Sequence, residues 1–260
     1  MTESNSHPEP GAQSFANPPA TEPRVVDGGQ GWNWIAQAWE LFKKSPGVWI
    51  GNFILLMLIS VVLSAVPVIG HIASHLLWPV MIGGLMLGCR ALDRGEPFEI
   101  AHLFAGFKNS TGQLVMIGVF VIIGGLIIIG VVVLVVMLAG GGTLIAAVWG
   151  GSYAGMLAGG TFLLLALFGL MVALLLSIPL LMAVWFAPPL VVLRNLAAID
   201  AMKYSFNACL INVIPFLIYG LVTLVLSVLA SIPLALGWLI FAPVLIASIY
   251  TGYRDIFADT

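Results

Sequence analysis

Apolar residues run through this chain in long stretches, and the ionisable positions fall in the gaps between them. No Asp, Glu, Lys or Arg occurs from Ser45 to Cys89, from Asn109 to Leu193 or from Tyr204 to Tyr253. A helix needs about 20 apolar residues to cross a hydrocarbon core about 30 Å thick, so the first and third blocks each hold two spans. The middle block has room for two, three or four. Isolated strands cannot satisfy their backbone groups in lipid, and the alternation of an outer-membrane barrel is missing. The pattern therefore predicts an all-α integral membrane bundle.

The basic residues fix the count. Arg24, Lys43, Lys44, Arg90, Arg94, Lys108, Arg194, Lys203 and Arg254 all lie between the blocks or outside them. If loops rich in Lys and Arg stay in the cytoplasm, each block crosses an even number of times. Four spans would leave the middle block almost without loops. Six spans in three hairpins are expected, over about residues 48–68, 72–89, 114–138, 161–184, 213–231 and 236–253. Both termini are then cytoplasmic, and Pro188 and Pro189 interrupt the fourth span.

Residues 1–31 are polar and rich in Pro, Ser and Gly. They read as a disordered cytoplasmic tail ahead of a transmembrane domain at 32–260, because they have little to bury against the entropy of ordering. No charged n-region precedes an apolar core there, as it would in a signal peptide. Residues 32–44 read as an amphipathic helix with Ile35, Ala38, Trp39 and Phe42 on one face. Trp32, Trp39, Phe42, Lys43 and Lys44 are candidate interfacial anchors, with rings at headgroup depth and lysines drawn to anionic headgroups. Residues 98–107 and 196–206 read as two further cytoplasmic interfacial helices.

The three short helices suggest a repeated unit of interfacial helix, span, outer turn and span. The segments Pro79 to Arg90 and Pro243 to Arg254 share Pro, Val, Ile, Gly and Arg at equal offsets. Phe42 and Phe206 fall at the same offset. Apolar helices resemble one another cheaply, so repetition and chance both account for these matches. Gly84 and Gly88 form a small-xxx-small pair, with Ser248 and Gly252 at the matching positions. Small residues let helix backbones approach in lipid, so these four are candidate packing positions, with contact between the two spans as one arrangement. Residues 139–160, with eight glycines and no charge, read as an outer loop resting on headgroups through Trp149 and Tyr153. The alternative is a re-entrant segment lining a cavity.

Composition agrees with the pattern. Of 260 residues, 61% are hydrophobic and 8% charged, where a soluble domain carries about 25% charged residues. The net charge of −2 leaves no basic footprint for a nucleic-acid partner. Chemistry is sparse. His71 and His75 stand four apart, yet two imidazoles are too few for a metal site, and they read as interfacial side chains. His102 reads as a polar-face residue, and Cys89 and Cys209 as small interfacial ones. There is no HExxH pair, Walker loop or G-x-S-x-G elbow. No catalytic residue, metal or cofactor is expected.

Phe186-Ala-Pro-Pro-Leu-Val191, followed by Ala201 and Ser205 and preceded by Ala38-Trp39 and Phe42, resembles a family of uncharacterised bacterial integral-membrane proteins. The arrangement is also similar to the membrane domain attached to some glycerophosphodiester phosphodiesterases, over about residues 30 to 254. The resemblance implies a polytopic inner-membrane protein and supplies no active-site residues. The reading is a non-enzymatic multi-pass protein whose partners are membrane lipids and other membrane proteins of the envelope. The alternative is a facilitator or small permease for an uncharged or amphiphilic solute, with 139–160 lining its path. An enzyme using Asp93, Glu96, Glu99 or Asp200 is a third, weaker class.

Overall fold

A computed structural model of the chain describes residues 22–108, 110–149 and 151–257, with the backbone alone over 139–149 and 151–162. The described residues form nine α-helices and one 3-10 helix, with no strand. In order they are α1 (Gln30–Lys44), α2 (Pro46–Ser64), α3 (Ile69–Asp93), the 3-10 helix Ile100–Phe107, α4 (Thr111–Trp149), α5 (Gly151–Trp185), α6 (Ala187–Arg194), α7 (Ala198–Ile211), α8 (Val213–Ser231) and α9 (Trp238–Ile256). Among the described residues six helical stretches are long and apolar enough to cross a membrane: α2, α3, α4, α5 with α6, α8 and α9. The expected three hairpins are present.

The hairpins close on one another. The 3-10 helix packs on α3 and α7 packs on α5, so each short helix rests on the second span of the hairpin before it. The first short helix, α1, packs instead on α9, the sixth of the described spans. The bundle is centred on α3 and α9: over their most apolar stretches 56% and 61% of residues are buried, against 0% and 6% for α4 and α5. The two spans paired by sequence similarity thus hold the same central place.

The outer turns repeat as well. Val68 and Ala235 both adopt the left-handed region, with φ of 63° and 62°. Each stands two residues before a glycine, Gly70 or Gly237, that lies against the backbone of the residue seven back, Leu63 or Ala230. A Cβ on Gly70 would fall 1.7 Å from the Leu63 carbonyl oxygen, and one on Gly237 2.6 Å from the Ala230 oxygen. Only glycine fits such an approach. These matched turns are geometric support for the repeat that apolar sequence alone left open.

Residues 139–160 depart from expectation. The backbone of 139–149 continues α4 and that of 151–160 begins α5, so neither an outer loop nor a re-entrant segment forms there. The 39 residues of α4 make a rod of about 58 Å at about 1.5 Å per residue, well beyond the hydrocarbon thickness. The glycines misled because glycine weakens helices chiefly where water competes for the backbone, whereas membrane helices tolerate it. Closer in, Gly124 lies against Leu180, and Gly169 against Val132 and Val136, which sets the two long helices side by side. The Trp149 and Tyr153 side chains lie outside the described residues.

The prolines behave as expected. Pro188 and Pro189 lack N–H groups, and their rings clash with carbonyls four residues back. Accordingly α5 stops at Trp185, and α6 restarts with the prolines in its first turn. The break separates the Phe186 N–H from the Met182 carbonyl, and Ser205 of α7 serves both. Its hydroxyl donates to Met182 O at 2.6 Å and accepts from Phe186 N–H at 2.9 Å, fully buried. Ser205→Ala should leave the buried Phe186 N–H unpartnered, while Met182 O keeps the Cys209 thiol at 3.6 Å, and cost about 1–3 kcal/mol. A lower midpoint of thermal unfolding in detergent checks this, and an unchanged midpoint contradicts it.

The polar tail is tied down earlier than the composition suggested. Asn212 accepts from Val26 N–H at 2.8 Å and donates to Arg24 O at 3.0 Å, while Arg24 N–H donates to Ile256 O at 3.0 Å. A single buried amide and one helix end thus hold residues 24–26, which the tail reading left free. Residues 1–21 lie outside the described residues.

Candidate functional site

The Asp, Glu, Lys and Arg side chains meet at the starts of α2, α4 and α8 and the ends of α3, α6 and α9. Asp93 of α3 pairs with Arg254 of α9 and accepts from Tyr250 Oη at 3.2 Å. Arg254 also donates to Gln37 of α1 at 2.7 Å. Asp255 pairs with Arg24 at 2.9 Å and accepts from the Trp34 indole N–H at 2.9 Å. Thr251 donates to Trp34 O at 2.7 Å, and Lys44 to Leu92 O at 2.9 Å. Asp93 and Asp255 are therefore occupied in holding α1, α3 and α9 together.

The proposed anchors divide. Trp32 and Trp39 are exposed, at 51% and 42%, as an interfacial role requires. Phe42 is buried in the core beside Ile35 and Ala38, because the apolar face of α1 packs on α9, α8 and α3 rather than on lipid. Trp39 stacks on Phe42 with ring centroids 5.4 Å apart, which joins the exposed edge to the core. Lys43 is exposed and pairs with Glu40 at 2.9 Å.

The packing positions are all at close contacts, with different partners from each other. Gly84 faces the His102 and Leu103 carbonyls, and Gly88 the Phe98 ring. Both admit the segment carrying the 3-10 helix. Gly252 faces Trp34 and Phe186, and Ser248 hydrogen-bonds Tyr219 at 2.7 Å. The nearest contacts of these four residues are with the neighbours of α3 and α9. A helix pair was the natural expectation because the short helix that fills the groove is too small to show as a span.

His71 and His75 are exposed near the start of α3. Among the described residues no group of three His, Cys, Asp or Glu is placed to hold a metal. Cys209 is buried, and desolvation pushes its thiol up to about 12, so it stays a neutral thiol near pH 7. Asn52 of α2 is 1% exposed with neither amide atom bonded to any described residue, and the Trp49 indole N–H one turn away is likewise unbonded. Asn52→Leu replaces two unpaired polar atoms by an apolar group of similar shape and is expected to stabilise by about 1–3 kcal/mol. A higher unfolding midpoint checks it.

The cavities are of two kinds. Apolar grooves open among the spans: one of about 300 Å³ lies between α5 and α8 beneath Cys209, and one of about 510 Å³ lies between α4, α5 and α7. A polar cleft of about 260 Å³ lies between the end of α3 and the 3-10 helix, lined by Leu87, Arg90, Ala91, Arg94, Glu96, His102 and Ala105. No local pattern of residues announces this cleft. Arg90 and Arg94 are close in sequence to Asp93, Glu96 and Glu99, yet Asp93 turns to Arg254, and the Glu99 side chain caps the 3-10 helix together with His102.

One curated relative stands out by sequence: a probable inner membrane protein of Burkholderia thailandensis is 28% identical over 252 residues, covering 87% of this chain and 90% of that protein. No model of a known protein family matches the chain, and no solved structure does. The relative and the six apolar helices agree on a multi-pass inner-membrane protein.

Proposed function

We propose that this chain is a non-enzymatic protein of a bacterial inner membrane, with both termini cytoplasmic, that acts through lipid and protein contacts in the envelope. The observation that carries the reading is the placement of its polar groups. Asp93, Asp255, Ser205, Asn212 and Thr251 each hold one element to another, and the grooves among the spans are lined by apolar side chains open to lipid. Ion-coupled transport places charged groups at membrane depth, and here the Asp, Glu, Lys and Arg side chains of the described residues gather at one end of the spans.

Two measurements test the reading. A Trp32→Ala, Trp39→Ala double variant should keep its unfolding midpoint, since exposed substitutions usually cost within about 0.5 kcal/mol, while losing co-purifying lipid or partner protein. Specific flux of an uncharged solute through vesicles carrying the intact chain would overturn it in favour of a permease.

A further inference from the structure

We infer that the cleft between α3 and the 3-10 helix binds a phosphate group, presented by the headgroup of an anionic phospholipid. The inference rests on the lipid-contact reading and gives it a headgroup class. Arg90 and Arg94 stand four apart at the end of α3, so both guanidinium groups lie on one helix face. Arg90 is half-buried, and neither arginine has a hydrogen-bonded or ion-paired partner for its side chain among the described residues. Buried or partly buried charges are ordinarily paired. The half-buried Arg90, with the exposed Arg94 on the same face of the cleft, is therefore a site awaiting an anion, and the planar forks of the two match phosphate oxygens in pairs.

The nearby carboxylates leave this charge uncancelled. Asp93 lies against Arg254 and Tyr250. Glu96 lines the same cleft and is its one acidic group, so the two arginines leave a net positive charge. His102 lines the same cleft, its Nδ1 held 3.1 Å from Glu99 N and 3.3 Å from Glu99 O.

The size and surroundings select a headgroup. The cleft is smaller than the about 300–1,000 Å³ of pockets that enclose a whole ligand. Leu87, Ala91 and Ala105 complete its wall, and Ile100, Phe104 and Phe107 of the 3-10 helix are exposed at 48%, 41% and 41%. The helix that walls the cleft thus carries exposed apolar side chains on its other faces, so that acyl chains can lie along the helix while the phosphate meets the arginines.

The test uses the full chain in detergent, with bound lipid counted by native mass spectrometry against phosphatidylglycerol, diacylglycerol and inorganic phosphate. Phosphatidylglycerol should be retained at least tenfold better than diacylglycerol. Arg90→Gln with Arg94→Gln should abolish that preference. Arg90→Lys with Arg94→Lys, which keeps charge and guards against a folding artefact, should weaken it severalfold. Lys203→Gln, on exposed α7, should change nothing. Competition by millimolar inorganic phosphate would support the phosphate site with a free anion as its source, and no competition would support the lipid. Equal retention of phosphatidylglycerol and diacylglycerol by the unmodified chain, without phosphate binding, would overturn the site. The lipid-contact reading fails separately, if neither lipid is retained.

Discussion

Gly106→Ala is expected to unseat the 3-10 helix from α3 and to destabilise the protein by about 3 kcal/mol or more, at the upper end of overpacking costs. A Cβ at Gly106 would lie 2.0 Å from the Val80 carbonyl oxygen and 3.2 Å from the Gly84 N. Gly84 is as confined, with a Cβ 2.4 Å from His102 O and 2.7 Å from Leu103 O. Both obstacles are backbone, which cannot rotate aside as a side chain can, so one element must retreat by about an ångström from a close-packed seat. Gly130→Ala in α4, where nothing lies within 4 Å, serves as the control and should leave stability near its starting value. The readout is the unfolding midpoint of each variant in the same detergent. A Gly106→Ala protein as stable as the Gly130→Ala protein would mean that the helix does not sit where it is placed.

Trp34→Ala should cost about 3–5 kcal/mol, the range for deleting a fully buried large aromatic. Trp34 is 1% exposed and packs on Phe216 and Tyr219 with centroids 5.2 and 6.1 Å apart. Its indole donates to Asp255 and its carbonyl accepts from Thr251. One side chain therefore fastens α1 to both spans of the last hairpin, and its loss opens the ring at its closure. Trp34→Phe keeps a ring and loses the N–H donor, and should cost closer to about 1–2 kcal/mol. Trp32→Ala, two residues away and half exposed, should hardly alter the midpoint. Equal midpoints for the Trp32 and Trp34 variants would place α1 on lipid rather than on α9.

That contrast shows how far the residues could be read without coordinates. The six spans followed from where charge is missing, since each crossing must bury its backbone and side chains alike, and the bounds of α8 fall where expected. The break at Pro188 and Pro189 followed from proline's missing N–H. On α1 the apolar stripe was legible, but its neighbours were not. A stripe facing lipid and a stripe facing α9 need the same residues, so Phe42 read as an anchor and proved to be core.

The polar details escaped for a related reason. Ser205 and Asn212 act on backbone groups that other parts of the chain leave open, and no local pattern announces such a partner. The cleft at Arg90 and Arg94 escaped because the 3-10 helix that walls it comes from a later stretch of chain. The long α4 and α5 escaped because glycine counts were weighed as in water. In each case local chemistry was readable, and the partner across space was not.

The most direct measurement is thiol labelling of four single cysteines, at Lys43, Lys108, Lys203 and Arg254, in a chain whose buried Cys89 and Cys209 are replaced by serine. With a membrane-impermeant maleimide, all four should label from the same side, in inverted vesicles and not in intact cells. Labelling of any two from opposite sides would contradict the three hairpins, the ring that α1 closes on α9 and the lipid-facing role built on them.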